Sequence, residues 1–591
     1  MVKRVLVTTA HEATWPENEP VLFLGEWCRL QSRKERWSEM DAEVLPYHWD
    51  DRKKLSADYQ DLQSFYERVL LEMAAQLNQI HGVEHEVRYW RILIGPWLNC
   101  FIHVVFDRWT TVHQAINNYD ISGAYILDST QVPCDMADYT TMAIGDEGNE
   151  RIYAMILQQF TNVSCTVRES QPKAEAAVDK LHSQKGLMEK LRNAIFRIAR
   201  VFSCDTDAVI FMAGMSISDV TKLLLRFRQV PQDWQLPPLP RVSTNPDQRQ
   251  WRLKGEFHSE FEAAVLTLIP QLIPTAYLEG YSSLLNTVKS MPWPKHPKFI
   301  YTKTAQYTVE VFKAWAAEKT ESGAQFVIGQ HGGQYGVGLF VMHEDHETAI
   351  SDRYLSWGWS KPNDPKVKPV GMLSPVSPMG VNHAVQPHAL MVAGGIPRYS
   401  FWLRSFPIAR QLLDYFDDQC AFVECLPKHI RDALIVRLHP ANYGWNLEGH
   451  WGDRFDDVTL DSGQLDMNEL ISQTRVFVTT YNATAFLESF AMDIPSVVYW
   501  NPDQWELRDS AIPYFEGLKR VGVFHETPQS AARHLAAIWH DVDAWWGRSE
   551  VRDEIARFSQ HYGRLSDDLL ADIRGELKAV MTTQGDRRDA P

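Results

Sequence analysis

Residues 476–500 read VFVTTYNATAFLESFAMDIPSVVYW. An apolar strand runs into Thr479, Thr480, Asn482 and Thr484; a helix carrying Glu488 follows, and then a second apolar strand. Strand, turn, helix and strand in this order form a unit of parallel sheet, and ligands of such sheets bind beyond the carboxyl ends of the strands. A helix that starts there offers free N–H groups and the positive end of its dipole to an anion. The hydroxyls of Thr479, Thr480 and Thr484 add donors, while Asn482 or Thr480 also fits an N-cap. Glu488 lies about one turn past Thr484, where a carboxylate accepts from two ribose hydroxyls. Capping explains one of these side chains; a phosphate and ribose site explains them together.

The pattern repeats on either side. HALMVAGG, a helical stretch over 406–419, DALIVRLHP, the helical MNELISQT, RVFVTTY and PSVVYW make one doubly wound domain. Upstream, RVLVTTA, PVLFLGEWC, AVIFMAG, FIYTKTA, AQFVIGQHGGQYGVG and RYLSWGW alternate with helical patterns at 58–80, 175–202 and QYTVEVFKAWAAEK. A Pro- and Gly-rich stretch over 359–387 is the candidate linker. The expected domains are 1–385 on the acceptor side, 386–550 for a nucleotide donor, and 551–591 as a helix and a disordered tail from TTQGDRRDAP. The fold class expected is α/β and GT-B-like, two Rossmann-type doubly wound domains facing a cleft.

Bulk composition narrows the function. Lys and Arg number 59 against 75 Asp and Glu, a net charge of −16. This disfavours sequence-independent binding to nucleic acid and attachment of the whole surface to anionic lipid; a local patch could still touch a membrane. Seven Cys with no C-x-x-C pair argue against a disulfide framework or structural zinc, and fit free thiols in a reducing cytoplasm. The apolar run near the N-terminus is too short for a signal-peptide core. RILIGPWLNCFIHVVFDRW, from Arg91, is broken by Pro96, Asn99, His103 and Asp107 and does not suit a membrane span. Phosphate-loop, H-E-x-x-H and G-x-S-x-G motifs are absent from the sequence.

Four further motifs carry candidate chemistry. In LIVRLHP, Arg437 and His439 alternate with Leu438 and so share a face, and Pro440 ends the strand. In IGQHGGQYGVG, Gly332, Gly333 and Gly336 allow close backbone approach, and His331 is a candidate general base; Gln330 and Tyr335 flank it. A tight turn with a structural His is the simpler alternative. In AGGIPRYSFWLRS, Arg398 reaches for a phosphate or carboxylate. In FLGEWC, Glu26 is an acceptor-side acid or base, or a helix-start carboxylate. Glu506 and Arg508 of WELRDSAIPYFEGL are candidates to close the donor site. No metal is needed, since helix ends and basic side chains can offset phosphate charge.

Taken in order, FLGEWC, QHGGQYG, VRLHP and TTYNATAFLE resemble the transferases found with O-antigen and other surface-polysaccharide genes, over most of the chain. More remotely, an HP motif followed by a Ser/Thr-rich turn is similar to capsule Kdo transferases and bacterial sialyltransferases. Those families use CMP-activated 3-deoxy-ulosonic sugars, and the resemblance implies that His439 and Thr479/Thr480 contact the CMP phosphate. Teichoic-acid polyol-phosphate transferases are a rival resemblance, with W-H-G-T where this chain has QHGGQYG. The expectation is a cytoplasmic, metal-independent glycosyltransferase without a cofactor. It would move a nonulosonic or Kdo-like sugar from a CMP-linked donor to a glycan or lipid-linked glycan. The alternatives are a CDP-polyol phosphotransferase, a UDP-sugar transferase and a non-enzymatic scaffold.

Overall fold

The computed structural model describes residues 2–128, 130–169, 202–373 and 388–588. The helical pattern at 175–202 falls almost wholly outside them, as does the second half of the linker candidate at 359–387.

Sixteen strands lie among the described residues, in three sheets. The first holds β1 (Arg4–Val7), β2 (Val21–Phe23), β3 (Ala42–Val44), β4 (Ile121–Leu127) and β5 (Cys165–Arg168), in the order β3-β2-β1-β4-β5. The second holds β6 (Val209–Ile210), β7 (Phe299–Thr302), β8 (Gln325–Gly329), β9 (Arg353–Ser356) and β10 (Val367–Pro369), wound in one direction as β10-β9-β8-β7-β6. The third holds β11 (His388–Val392), β12 (Leu434–Arg437), β13 (Thr459–Asp461), β14 (Thr474–Thr479), β15 (Ser496–Tyr499) and β16 (Phe524–His525). Its order is β13-β12-β11-β14-β15-β16, and its strand pairs are parallel. That is the doubly wound Rossmann order, with its switch point between β11 and β14.

The fold is therefore parallel-sheet α/β and GT-B-like, with Rossmann-type units facing a cleft. Where one α/β domain was expected over 1–385, two five-stranded sheets stand. The apolar stretch at Arg91 lies inside the 32-residue helix Val87–Asn118. This helix packs against helices Arg52–His81, Asp146–Phe160 and Glu310–Glu321, and so is apolar nearly all round because it is the central element of the core. No described helix is long and apolar enough to cross a membrane. The helix Leu569–Arg588 returns to pack against β7 and β8. Residues 582–588 are thus helical where a disordered tail was expected; 589–591 lie outside the described residues.

Buried charged pairs hold the units in register. Arg398 donates to Asp146 at 2.6 Å and to the Trp27 carbonyl at 2.5 Å, tying the third sheet to the first. Arg108, wholly buried, donates to the carbonyl of Ser400 at 2.9 Å. Arg52 grips Glu506 through two bonds of 2.7 and 2.8 Å. Arg508 does the same to Glu344, at 3.2 and 3.1 Å. Paired guanidinium–carboxylate forks of this kind fix geometry as well as contributing energy.

Candidate functional site

At the switch point of the third sheet the chain leaves β11 through Gly394 and Gly395, and leaves β14 through Tyr481, Asn482 and Ala483 into the helix Thr484–Ala491. The Gly-rich loop after β8 faces these two turns from the second sheet. A cavity of about 350 Å³ lies between them, within the range of small-molecule sites.

Three residue groups line it. Tyr415, Tyr481, Trp505 and Phe406 make an aromatic wall, with Tyr481 and Trp505 tilted at 36° and 6.5 Å apart. His331, Gly332, Gly333 and Tyr335 come from the β8 loop, and His439, Asn482 and Thr484 from the third sheet. His343 and Arg404 complete the polar lining.

The two loops touch. The Gly333 N–H donates to Thr484 Oγ1 at 3.1 Å, and a Cβ on Gly333 would lie 2.6 Å from the Ala483 carbonyl, so only glycine fits. Gly336, at φ +77°, donates its N–H to Glu344 at 2.7 Å and closes the loop. His439 packs under Gly395, where a Cβ would come within 2.5 Å of the ring. The Ala441 N–H donates to His439 Nδ1 at 3.1 Å, which leaves Nε2–H as the donor of the neutral ring.

Asn482 is the side chain that most needs a partner. It is 1% exposed, and both polar atoms of its amide are buried without a hydrogen bond among the described residues. Buried polar groups are nearly always satisfied, and an exception requires an explanation. Arg404 is another such exception on the cavity. Its Nε is buried without a hydrogen bond, and no carboxylate lies within ion-pair distance among the described residues. Its guanidinium sits 4.3 Å over the Phe406 ring, and burial pulls its pKa below the ordinary value. His343 is held neutral, first by burial and then by the nearby Arg404 charge.

His331 is oriented from behind. Its Nδ1 lies 3.0 Å from Glu347 Oε1, and its Nε2 lies 3.1 Å from the Tyr335 hydroxyl. Glu347 is fully buried on the helix Met342–Ile350, one turn after His343. Its Oε1 also accepts from Tyr307 at 2.9 Å and from Gln306 at 3.0 Å.

The structure brings His331, Gly332, Gly333, Tyr335, His439, Asn482 and Thr484 to one cavity. It does not bring the others there. Arg437 donates to Asp461 and, at 2.8 Å, to the Leu465 carbonyl; alternation with His439 fails because β12 ends at Arg437. Burial alone would raise the Asp461 carboxyl, but the Arg437 bond and two backbone N–H donors hold it low. Arg398 is spent on Asp146 and Trp27, and Glu26 on its neighbour Arg29 at 2.6 Å. Gln330 braces its own loop: its Oε1 accepts from the Trp357 N–H at 2.9 Å and from Trp359 Nε1 at 2.8 Å. Thr480 donates to the Val392 carbonyl at 3.0 Å and bonds the Tyr415 hydroxyl. Thr479 is buried within the sheet with its hydroxyl unpartnered. Glu488 lies behind the cavity, its carboxyl pushed up by burial and drawn back by Lys303. Glu506 and Arg508 are closed in their ion pairs.

Arg404, His343 and Glu347 were not anticipated. The signals were present in WLRS, a cation beside aromatics, and in HEDHE, which puts His343 and Glu347 on one helix face.

A model of the LIC12162 family transferases matches residues 4–577. The chain belongs to this family. No curated protein matches it. Solved structures similar to this LIC12162 family member include the wall teichoic acid polymerase TagF, at 10% identity over 68% of this chain and 98% of that one, with a TM-score of 0.31. MurG of Acinetobacter baumannii is similar at 13% identity, 63% and 99% coverage and a TM-score of 0.34. MnaA of S. aureus, solved with UDP, is similar at 10% identity, 64% and 96% coverage and a TM-score of 0.34. These likenesses are too distant to say what this chain binds.

Proposed function

We propose that this family member is a metal-independent glycosyltransferase that takes a sugar from a nucleotide-activated donor. The donor is a CMP-linked acidic sugar of nonulosonic or Kdo-like type, and the acceptor is a hydroxyl of a bacterial surface glycan or its lipid-linked precursor. The observation that carries this is that the Asn482 amide at the switch point and Arg404 line one cavity, the amide without a hydrogen bond and the guanidinium without an ion pair among the described residues. A nucleotide supplies what both lack. Its phosphate or the sugar carboxylate pairs with Arg404, the first turn of the helix from Thr484 and His439 Nε2–H add donors, and the base lies against the Tyr481 and Trp505 rings.

In the transfer step the acceptor O–H gives its proton to His331. The acceptor oxygen forms a bond to the anomeric carbon as the bond from that carbon to the phosphate oxygen breaks. The electron pair leaves with CMP, and no further reactant is needed. Seven free cysteines suit a cytoplasmic site of action, at the inner face of the membrane where a lipid-linked acceptor is presented.

The test is thermal unfolding with CMP, CDP, UDP and GDP, each alone. A ligand at 100 times its Kd stabilises by about 2.7 kcal/mol. A shift with CMP that is lost in Asn482→Leu supports the proposal. A shift with CDP alone moves the donor to a CDP-polyol, and with UDP alone to an ordinary sugar nucleotide. No shift with any nucleotide refutes the site.

A further inference from the structure

We propose that Tyr415 is a positioning residue for nucleotide binding: its hydroxyl clips together the chain ends of β11 and β14 and so sets where His439 and Asn482 stand. This rests on the reading of the cavity as a nucleotide site. The ladder between β11 and β14 ends at Val392 and Thr479. Beyond it Ala393 still donates its N–H to the Arg437 carbonyl at 3.0 Å, but Gly394 has left the sheet. Tyr415 lies on the helix Gln411–Glu424 and is 3% exposed. Its hydroxyl oxygen accepts from the Gly394 N–H at 2.8 Å. Thr480, the first residue past β14, gives its own hydroxyl hydrogen to the Val392 carbonyl at 3.0 Å. The hydrogen of the Tyr415 hydroxyl therefore points to Thr480 Oγ1. Gly394, Tyr415, Thr480 and Val392 thus form one directed chain of hydrogen bonds across the switch point, each bond strengthening the next.

The turns that this chain holds carry the site. Gly395, one residue past Gly394, packs against the His439 ring, where a Cβ would come within 2.5 Å. Asn482 lies two residues past Thr480. A Cβ on Gly394 would stand 3.4 Å from the Tyr481 ring and 3.5 Å from the Tyr415 oxygen, so the two turns touch beside the hydroxyl. The aromatic wall does not need that oxygen. The Tyr415 ring meets Trp505 edge-on, with centroids 6.1 Å apart and planes at 64°, and phenylalanine would do the same. A buried hydroxyl is costly unless it is bonded, and the bonds this one makes go to the two turns. Burial pushes its pKa up to about 12, so at neutral pH it keeps its proton and the chain keeps its direction.

The test compares the full chain with Tyr415→Phe, Thr480→Val and the double variant. Tyr415→Phe keeps the wall and removes the hydroxyl. Hydrogen exchange read by mass spectrometry, without ligand, is expected to show lost protection in peptides spanning 392–395. Calorimetric titration then gives Kd for CMP, CDP and UDP. The nucleotide that binds the parent is expected to bind Tyr415→Phe about tenfold more weakly, the size of one buried donor left without its partner. Because the two hydroxyls act as one chain, the double variant is expected to stay at about tenfold, where independent effects would multiply to about a hundredfold. An unchanged Kd in a folded Tyr415→Phe protein overturns the proposal, since a hydroxyl that only supported the fold would lower Tm and leave Kd alone. Factors that multiply in the double variant overturn it too. Should Tyr415→Phe not fold, Thr480→Val carries the same readings. A parent that binds none of the three nucleotides overturns the nucleotide reading instead; exchange at 392–395 then decides the clip by itself, and unchanged protection there overturns it.

Discussion

Replacing Arg404 by methionine should stabilise the empty protein and weaken it as a receptor. The guanidinium contributes no ion pair among the described residues, and its Nε–H is buried unsatisfied. Such a group costs about 1–3 kcal/mol of desolvation. Methionine keeps an unbranched apolar stem for the contact with Phe406 and carries no polar atom needing a partner. The expected gain is about 1–2 kcal/mol, roughly 1–2 °C in Tm for a chain of this length. The bound state behaves oppositely. A charge-assisted hydrogen bond to phosphate or carboxylate is worth about 1.5–3 kcal/mol, so its loss raises Kd about ten- to a hundredfold. At a nucleotide concentration of 100 times the original Kd, stabilisation by ligand falls from about 2.7 to about 1.4 or 0.4 kcal/mol. Differential scanning fluorimetry of both proteins, with and without nucleotide, reads both effects. A lower Tm for the empty variant together with an undiminished ligand shift would refute the role of Arg404 as an anion receptor.

Gly333→Ala puts a Cβ 2.6 Å from the Ala483 carbonyl; it should cost about 1–3 kcal/mol by overpacking and reduce the nucleotide shift, both visible in the same scans. Gly395→Ala drives a Cβ into the His439 ring at 2.5 Å and should weaken nucleotide binding more than it lowers Tm, as titration calorimetry can check. Arg398→Ala leaves the half-buried Asp146 without its cation, and should lower stability by about 1–3 kcal/mol with nucleotide Kd unchanged in whatever remains folded. Burial alone would raise the Asp146 carboxyl, but the Arg398 guanidinium and the Tyr399 hydroxyl outweigh it and hold it below its ordinary value. A depressed acid contributes stability that is present above the unfolded value, about 3.9, and is lost as pH falls through the lower folded value. Denaturant unfolding from pH 6 to pH 3 should therefore fall less steeply in Asp146→Asn than in the parent.

The third sheet was legible in the sequence because its β11, β12, β14 and β15 are long enough to show an apolar run and are separated by helices with their own period. The shorter strands were not. β3, β10 and β13 have three residues each and β16 two, too few to display alternation. They form because a neighbouring strand offers a hydrogen-bonded edge, and a single sequence does not show that edge. The same limit explains the site. Glycines and turn residues announce close approach wherever they sit, so Gly332, Gly333, His331 and Asn482 could be found. The direction of an arginine depends on which carboxylate the fold brings near. Arg437 meets Asp461 of β13 and Arg398 meets Asp146 of a helix from the first unit, while Arg404 in the same loop as Arg398 meets none among the described residues. Sequence put forward Arg437 and Arg398, which the packing neutralises, and passed over Arg404, whose lack of an ion pair among the described residues only the packing reveals.

Neither sheet holds the site alone. Asn482, Thr484 and His439 come from the third sheet, and His331 with its carboxylate from the second. Their separation is set at the floor of the cleft, where the Gly333 N–H meets Thr484 Oγ1. That bond uses a lone pair of the Thr484 hydroxyl and leaves its hydrogen free to point elsewhere. The first turn of the helix and the Gly-rich loop after β8 are therefore coupled through one oxygen. The Arg508–Glu344 fork holds the two units around this contact, and the Arg52–Glu506 fork ties the first unit to the third. Along the cavity stand the Asn482 amide, without a hydrogen bond among the described residues, and the Arg404 guanidinium, without an ion pair among them.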